Sequence, residues 1–218
     1  MSNPPAPRRG RPPSGGREQI LAATFGLIQE KGVAKMTTKG IAERAGVSEG
    51  SIFYHFKDRA GLLKAVFSDA LAPLAEFRRE GAGAGDLRAT LEMLLSAVER
   101  FLDQALVVLF AAQADKELGD ELQEYIAEHD LGPHHGVRVI GDFLRLLQAR
   151  GDIRSDFDVE PAAFMLIGTC VLRVGQAPVM GHSRGAPDRA AVLDTFVRFV
   201  SQRPEGARSQ DRATPPVT

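Results

Sequence analysis

The chain has 218 residues, of which 44% are hydrophobic and 25% charged, and its formal net charge is −1. This balance is typical of an ordinary soluble globular protein. The single cysteine, Cys170, excludes an intramolecular disulfide and a cysteine-based zinc site, and it is typical of a reducing compartment.

No stretch of the chain is expected to act as a targeting or membrane segment. Residues 1–13 are rich in Pro and Arg and lack the apolar core of a secretory signal. The longest strongly apolar stretch, Pro161 to Leu172, is far short of the roughly 20 residues that span a bilayer. We therefore expect a soluble, cytoplasmic protein.

Charge is distributed unevenly along the chain. Residues 1–67 contain 11 Lys and Arg against 5 Asp and Glu, whereas residues 68–218 contain 16 against 23. A basic front on an acidic body is typical of a chain whose first part binds phosphate. A charged surface without any partner would show the same imbalance.

Apolar residues recur with helical spacing from Arg17 onward, and no useful stretch alternates with period two, so the expected fold class is all-α. A first helix is expected to end at Gly32, and a fourth to begin near Asp58 and to end or kink at Pro73. Between them the pattern predicts two short helices, at 38–45 and 49–56.

Longer helices are predicted after the Gly-Ala repeat at 81–85, with Asp86 as the first cap. Because Pro, Gly and polar residues dominate both ends of the chain, we expect both ends to be disordered. The expected limits are a basic tail at 1–16, a small domain at 17–67, a larger helical domain at 68–203 and a tail at 204–218. The helical segments expected in the larger domain are 87–101, 105–114, 120–150 with a break at 132–133, 160–174 and 187–201.

Residues 37–63 predict two short helices that cross closely through a tight turn. Small Ala42 allows the helices to approach, Gly46 can adopt a positive φ in the turn, and Ser48 can cap the next helix. A helical hairpin buried in a core is the alternative. The third helix argues against it, because it is polar at its start and has Ile52 as its first apolar residue.

The run from Arg17 to Phe67 carries a dense set of recognisable positions: Ile20, Ala23, Gly32, Thr37, Ile41-Ala42, Ala45-Gly46-Val47-Ser48, Gly50-Ser51, Tyr54-His55-Phe56, Lys57 and Leu62-Leu63. In these positions it resembles the DNA-binding domain of the TetR family of transcriptional regulators. The resemblance implies a three-helix helix-turn-helix domain followed by a helical bundle for ligand binding and dimerisation. It also implies a homodimer on operator DNA and, in most members, a repressor released by a small molecule.

The resemblance carries DNA contacts over to individual positions. It implies phosphate contacts by residues around the start of the second helix, the end of the third and the start of the fourth, and base contacts by the start of the third. The phosphate set is Thr37, Thr38, Lys39, Tyr54, His55, Lys57 and Arg59, and the base set is Ser48, Glu49, Gly50 and Ser51.

Three positions near this face leave alternatives open. Glu49 places a negative charge where the family often has a basic or neutral residue. Its carboxylate could accept from the N4 amino group of cytosine, or only favour the helix N-terminus. Phe53 fits either the core or a DNA contact. Gly40 lies within a helix, where the family often has a longer polar residue and where glycine costs roughly 0.5–1 kcal/mol relative to alanine.

The tail sequence Arg8-Arg9-Gly10-Arg11-Pro12-Pro13 resembles the core of minor-groove AT-hooks. Arginines on an extended, Pro-stiffened segment can enter a narrow A·T minor groove, which makes Arg9 and Arg11 candidate DNA contacts. A charged tail without specific contacts is the alternative.

The segment 160–174 is apolar nearly all round, which is typical of a helix between its own core and a partner. In the family the last two long helices form the dimer interface, and the resemblance assigns that role here. A helix buried in the core is the alternative. Cys170 is expected to be a packed small residue without redox function. The candidate interface residues are Phe164, Ile167, Val171, Phe196, Val197 and Val200.

A ligand pocket is expected among the helices between residues 87 and 147. Abundant Leu, Val and Phe predict an apolar or amphipathic ligand, although core packing is the alternative for each candidate residue. Exposed histidines beside a helix break are expected at His129, His134 and His135 rather than a metal site, because the break at 132–133 separates them and the i, i+4 pair of histidines on one helix is missing. The candidate pocket residues are Phe101, Phe110, Tyr125, His129 and Phe143.

We therefore expect a homodimeric, sequence-specific repressor without a cofactor. No Ser-His-acid arrangement, nucleotide-binding glycine loop or metal-ligand set supports an enzyme. The rival hypothesis is a constitutive DNA-binding protein whose larger domain only dimerises.

Overall fold

The computed structural model describes residues 16–80 and 86–201 of the chain. These ranges form ten α-helices and one 3-10 helix and contain no strand, so the predicted all-α class is confirmed. The helices are α1 Gly16–Lys31, the 3-10 helix Val33–Lys35, α2 Thr38–Ala45, α3 Glu49–Phe56, α4 Arg59–Asp69, α5 Ala72–Glu80, α6 Leu87–Ala112, α7 Lys116–Glu128, α8 Pro133–Arg150, α9 Val159–Met180 and α10 Arg189–Val200.

The first of two compact units contains the described residues up to 70 together with residues 104–126. Its small core forms where α1 packs against α2 and α4. Every large side chain at the centre is apolar, as burial in a water-free interior requires. The fully enclosed residues include Ile20, Met36, Ile41, Ile52, Leu62, Leu63 and Phe67.

The short helices of this unit have the limits that the sequence predicts. The second and third helices match residue for residue, and α1 ends before Gly32, whose φ is +72°. Asp58 precedes α4 and accepts a hydrogen bond from the Gly61 N–H. The fourth helix ends at Asp69, four residues before the proline at which an end or a kink was expected, and Pro73 lies in the first turn of the separate helix α5.

The second compact unit contains residues 71–103 and the described residues from 127 onward. Within it, α8 and α9 share the most extensive helix–helix contact. Three predicted limits differ. α6 runs unbroken to Ala112, where a separate segment was expected. α7 begins at Lys116, before the expected start, and α9 extends six residues beyond Val174. The break at 132–133 is confirmed.

The length of α9 corrects the expectation that no segment could cross a membrane. This helix has 22 residues and an 18-residue window with a mean hydropathy of 1.5, so length and composition alone would allow it to span a bilayer. Residues after Leu172 continue the helix although they include Arg173 and Gln176. One such helix is weak evidence for a membrane span, because the core helix of a protein outside the membrane has the same length and composition.

A buried ion-pair cluster connects three helices of the second unit. The Glu99 carboxylate of α6 accepts from Arg173 Nε of α9 and from Arg189 Nε of α10, both at 2.8 Å. The Glu99 side chain is 9% exposed. Burial, the largest single influence, raises the pKa of Glu99, but the two arginines outweigh it together and hold the pKa below its usual value.

The thiol of Cys170 is fully enclosed in the same unit. Burial, assisted by the negative charge of Glu99, raises the pKa of Cys170 to about 12. A thiol with such a pKa carries almost no thiolate near neutral pH. The expectation of a packed cysteine is confirmed.

Replacing Glu99→Gln removes the charge that both arginines need, and we expect it to lower the free energy of unfolding by about 2–3 kcal/mol at pH 7. The folded-state pKa of Glu99 is lowered. The ion pairs therefore stabilise the wild type at pH values above the ordinary glutamate pKa of 4.5, and this stabilisation is lost as the pH falls below that value. Urea titrations should therefore show the two proteins converging below about pH 4.5.

Glu92→Gln is the matched control, since Glu92 lies exposed on the same helix. It should change stability little at any pH. A Glu99→Gln defect of constant size between pH 7 and pH 3 would contradict the ion-pair explanation.

Candidate nucleic-acid interface

The turn between α2 and α3 is built on a glycine in the left-handed region. Gly46 has φ +66° and ψ +31°, and its N–H points to the Glu43 carbonyl oxygen at 3.4 Å. The Val47 N–H donates to the Ala42 carbonyl oxygen at 3.0 Å. This pair of bonds is a Schellman motif, which ends a helix and reverses the chain in two residues. The glycine turn predicted from the sequence is confirmed.

Side-chain caps define the beginnings of α2 and α3. Thr37 Oγ1 accepts from the Gly40 N–H at 3.1 Å, and Ser48 Oγ accepts from the Ser51 N–H at 3.2 Å. These bonds satisfy amides that a helix start leaves without a partner. The predicted cap at Ser48 is confirmed. A Cβ at Gly40 would lie 3.1 Å from Thr37 Oγ1, so any other residue at this position would crowd the capping hydroxyl.

One side of α3 is apolar and packs into the core, and the other side is exposed to solvent. Ile52 is fully enclosed and Phe56 is 6% exposed, whereas Tyr54 is 80% and Phe53 52% exposed. A core hairpin would bury its aromatic residues. The open question about Phe53 is therefore answered for the protomer, because its ring lies mostly outside the core.

Most predicted DNA-contacting side chains of α2, α3 and their flanks reach solvent on this part of the unit. Thr38 and Ser51 are half-buried, and Arg9 and Arg11 lie outside the described residues. The exposed members of the predicted set are Thr37, Lys39, Ser48, Glu49, Gly50, Tyr54, His55 and Lys57.

Arg59 departs from its predicted role. Its Nη2 donates to the Val33 carbonyl oxygen at 3.1 Å and lies 3.5 Å from Asp115 Oδ2. The Nε atom is buried and has no hydrogen-bond partner in the described part of the chain. Because the guanidinium is directed into the protein, we remove Arg59 from the proposed phosphate contacts. Sequence spacing placed the residue at the interface but could not show where its long side chain turns.

Lys57 lies in a strained backbone turn between α3 and α4. Its φ is +68° and its ψ −59°, and the Asp58 N–H donates to the Phe56 carbonyl oxygen at 2.8 Å, two residues back. These are the features of a γ-turn of the rare, strained kind. A Cβ on Gly61 would lie 2.0 Å from the same Phe56 oxygen, so this turn requires glycine there. The role of Gly61 was not predicted, although a glycine in the first turn of a helix is a signal that the sequence contains.

Replacing Lys57→Gly should relieve this strain and raise the free energy of unfolding by about 1 kcal/mol, measured by urea denaturation. Lys39→Gly is the matched control. The same exchange inside α2 should lower stability by up to about 1 kcal/mol, because glycine disfavours a helix. A loss of stability in both variants would show that Lys57 carries no strain.

The five candidate pocket residues are divided between the two compact units: Phe110 and Tyr125 belong to the first, and Phe101, His129 and Phe143 to the second. Phe143 packs edge-on against Phe77, with 5.5 Å between ring centroids. A cavity of about 430 Å³ borders Gln19 and Arg44 in the first unit, and one of about 170 Å³ borders Phe77 and Met93 in the second. None of the five candidates lines either of these two cavities.

The candidate dimer residues divide into exposed and enclosed sets. Phe164 is 66% exposed and Val171 38%, and Ile167 and Val197 are half-buried. Phe196 and Val200, at 8% and 0%, pack inside their own protomer and cannot form the partner surface, which corrects the prediction for these two. The exposed apolar residues that sequence analysis did not single out on α9 and α10 are Met165, Leu172, Val179, Met180 and Phe199.

Of the histidines near the break between α7 and α8, His129 and His134 are exposed, as expected, whereas His135 is half-buried. His134 and Arg138 both contact the Asp130 carboxylate. The hydrogen bond from His134 and then that from Arg138 lower the pKa of Asp130 to about 2. Among the described residues, no group of three or more His, Cys, Asp or Glu side chains could hold a metal ion.

Comparison with known proteins agrees with this geometry. Residues 20–66 match the family model described as "Bacterial regulatory proteins, tetR family". The HTH-type transcriptional repressor KstR2 of Rhodococcus jostii is 29% identical over 164 residues, which cover 74% of this chain and 79% of KstR2. The "Probable HTH-type transcriptional regulator ArpR" of Pseudomonas putida is 30% identical over 161 residues, covering 67% of this chain and 72% of ArpR.

Solved structures show the same architecture over most of the chain. A Rhodococcus protein described as a TetR-family transcriptional regulator superposes with a TM-score of 0.64 at 27% identity, covering 87% of this chain and all of that one. The regulator FadR of Bacillus subtilis, solved in complex with stearoyl-CoA, has the same fold, with a TM-score of 0.59 at 20% identity over 84% of this chain and 96% of FadR. The protein is a helix-turn-helix regulator and belongs to the TetR family.

Proposed function

We propose that this protein is a cytoplasmic homodimer that represses transcription by placing α3 of each subunit in the major groove of an operator, and that a small apolar or amphipathic ligand releases it. One observation carries the DNA-binding part of the proposal. The third helix exposes a polar start and the rings of Phe53 and Tyr54 while Ile52 and Phe56 hold it to the core. A short helix held on one side leaves the other side free for a groove.

Phosphate contacts are assigned to exposed groups around the ends of α2 and α3. Lys39 and Lys57 supply charge, and Thr37, Tyr54 and His55 supply hydrogen-bonding groups. Thr38 joins this set through its backbone N–H at the start of α2, because its hydroxyl donates to Glu49 Oε2. Such contacts position a protein on DNA without reading sequence.

Base contacts are assigned to the start of α3, which comprises Ser48, Glu49, Gly50 and Ser51. Gly50 supports this assignment. A Cβ there would meet no closer atom than Ser48 Oγ at 3.7 Å, which is an ordinary contact. The protomer therefore does not need a glycine that costs its helix roughly 0.5–1 kcal/mol. Close approach of a base edge would explain the missing side chain.

The basic tail is proposed to extend the interface into the neighbouring minor groove through Arg9 and Arg11. The support is the sequence Arg8-Arg9-Gly10-Arg11-Pro12 and the excess of basic residues in the first 67 positions.

Dimerisation is assigned to α9 and α10. Exposed apolar side chains on these helices, among them Phe164 and Leu172, would be costly in water and fit a second copy of the chain. The revised interface set is Phe164, Met165, Ile167, Val171, Leu172, Val179, Met180, Val197 and Phe199.

Release by a ligand is supported by kinship with FadR, which was solved with stearoyl-CoA bound. The rival hypothesis is a regulator that binds DNA constitutively. A cavity of about 170 Å³ beside Phe77 and Met93 is smaller than the roughly 300–1,000 Å³ typical of small-molecule sites and favours this rival, whereas the cavity of about 430 Å³ in the first unit lies within that range.

Replacing Tyr54→Ala together with His55→Ala should weaken operator binding about tenfold or more and by the same factor for every sequence, because both contacts are assigned to phosphates. Fluorescence anisotropy on operator and unrelated duplexes measures this. The control is Gln29→Ala with Lys31→Ala, both exposed on α1. A loss confined to particular bases would show that α3 lies differently on DNA.

Operator affinity unchanged across a panel of lipophilic compounds would favour the constitutive regulator.

Replacing Leu172→Asp should convert the dimer to a monomer in analytical ultracentrifugation, since a charge at an apolar contact must be desolvated. Leu146→Asp is the matched control, because Leu146 is 39% exposed on α8, outside the proposed interface, and should leave the dimer intact. A dimer that persists with Leu172→Asp would exclude this face of α9.

A further inference from the structure

Glu49 and Phe53 are two side chains of α3 whose positions the fold itself does not explain. Both are exposed, and the Phe53 ring is 52% accessible although the core of the same unit encloses large apolar side chains such as Phe67. They are four residues apart, so they lie on one side of the helix, one turn from each other. Their rise along the helix, about 6 Å, corresponds to one or two base steps of 3.4 Å.

The Glu49 carboxylate has a defined orientation. Thr38 Oγ1, in the first turn of α2, donates to Glu49 Oε2 at 3.2 Å. Oε1 is not part of this bond. None of the ion pairs within the described residues includes Glu49, so its negative charge is not neutralised by a cation there. On a surface assigned to phosphates, such a charge is unfavourable unless DNA offers it a hydrogen-bond donor.

Base chemistry selects the donor. In the major groove guanine presents two acceptors and thymine one acceptor, and each would repel a carboxylate. Adenine presents its N6 amino group beside the N7 acceptor. Cytosine presents the N4 amino group with no acceptor on the same base edge. A carboxylate restricted to one position therefore favours cytosine.

The Phe53 ring can lose its contact with water only against an apolar group. The one apolar group on the major-groove edges of the bases is the C5-methyl group of thymine. Gly50, one residue after Glu49, carries no side chain that could hold α3 away from those edges.

We propose that Glu49 and Phe53 determine the sequence that α3 reads: the Glu49 carboxylate accepts from the N4 amino group of a cytosine, and the Phe53 ring packs on the methyl group of a thymine within two base steps of it. The inference rests on the proposed placement of α3 in the major groove. Each half-site of the operator accordingly contains this cytosine and this thymine.

The test begins by selecting bound sites from random duplexes with the full-length wild-type chain and with Glu49→Gln. Wild-type sites should contain the cytosine, and its replacement should weaken binding about tenfold. Glutamine pairs well with the N6 and N7 of adenine. Glu49→Gln should therefore change the preferred base at that one position from cytosine to adenine, while the remaining positions stay the same.

Phe53 is tested by changing the DNA and the protein together. Deoxyuridine in place of the thymine removes only the methyl group, and it should weaken wild-type binding about fourfold. The same exchange should have no effect on Phe53→Ala. Deoxyuridine at a thymine elsewhere in the site is the control, and thermal denaturation checks that both variants are folded.

The outcomes separate this inference from the function on which it rests. If Glu49→Gln keeps the wild-type consensus, or Phe53→Ala remains as sensitive to deoxyuridine as the wild type, the readout by these two residues is wrong while DNA binding stands. If the wild-type chain selects no sequence at all, the proposed function itself fails.

Discussion

The surface assigned to DNA depends on the backbone reversal at Gly46. The left-handed conformation at this residue places two N–H groups on the last carbonyls of α2 and turns the chain within two residues, so that Ser48 can cap α3 at once. A longer connection would allow α3 to rotate and bury its aromatic residues. With this turn, Ile52 and Phe56 are the residues that enter the core, and the polar start of α3 remains in solvent.

Backbone strain at the other end of α3 fits the same arrangement. Lys57 adopts a positive φ that glycine would adopt at lower cost, and Gly61 makes room for the resulting turn. Strain of this kind persists where the surroundings enforce it and where the side chain has a use. A lysine at the edge of the proposed phosphate contacts has such a use, whereas a glycine there would contribute no charge.

In the second unit, buried ion pairs connect the helices inside, whereas apolar side chains are exposed on the surface. Glu99 attracts Arg173 and Arg189 into one cluster that joins α6, α9 and α10, while the other side of α9 exposes Phe164 and Leu172. A helix anchored by buried charge on one side can present a fixed apolar surface on the other. This is the property that a dimer interface requires, and the exposed apolar side chains are also part of the reason that α9 is long and apolar enough to cross a membrane.

The sequence by itself determined the all-α class, the limits of α2 and α3, the turn at Gly46 and the cap at Ser48, because these depend on interactions between residues fewer than six positions apart. Only the tertiary structure decided where long or apolar side chains point. It directs Arg59 to Val33 and Asp115, encloses Phe196 and Val200, and leaves Phe53 in solvent. Those outcomes depend on neighbours that are distant along the chain. A helical pattern shows which residues share a side, but it does not show which side another element covers.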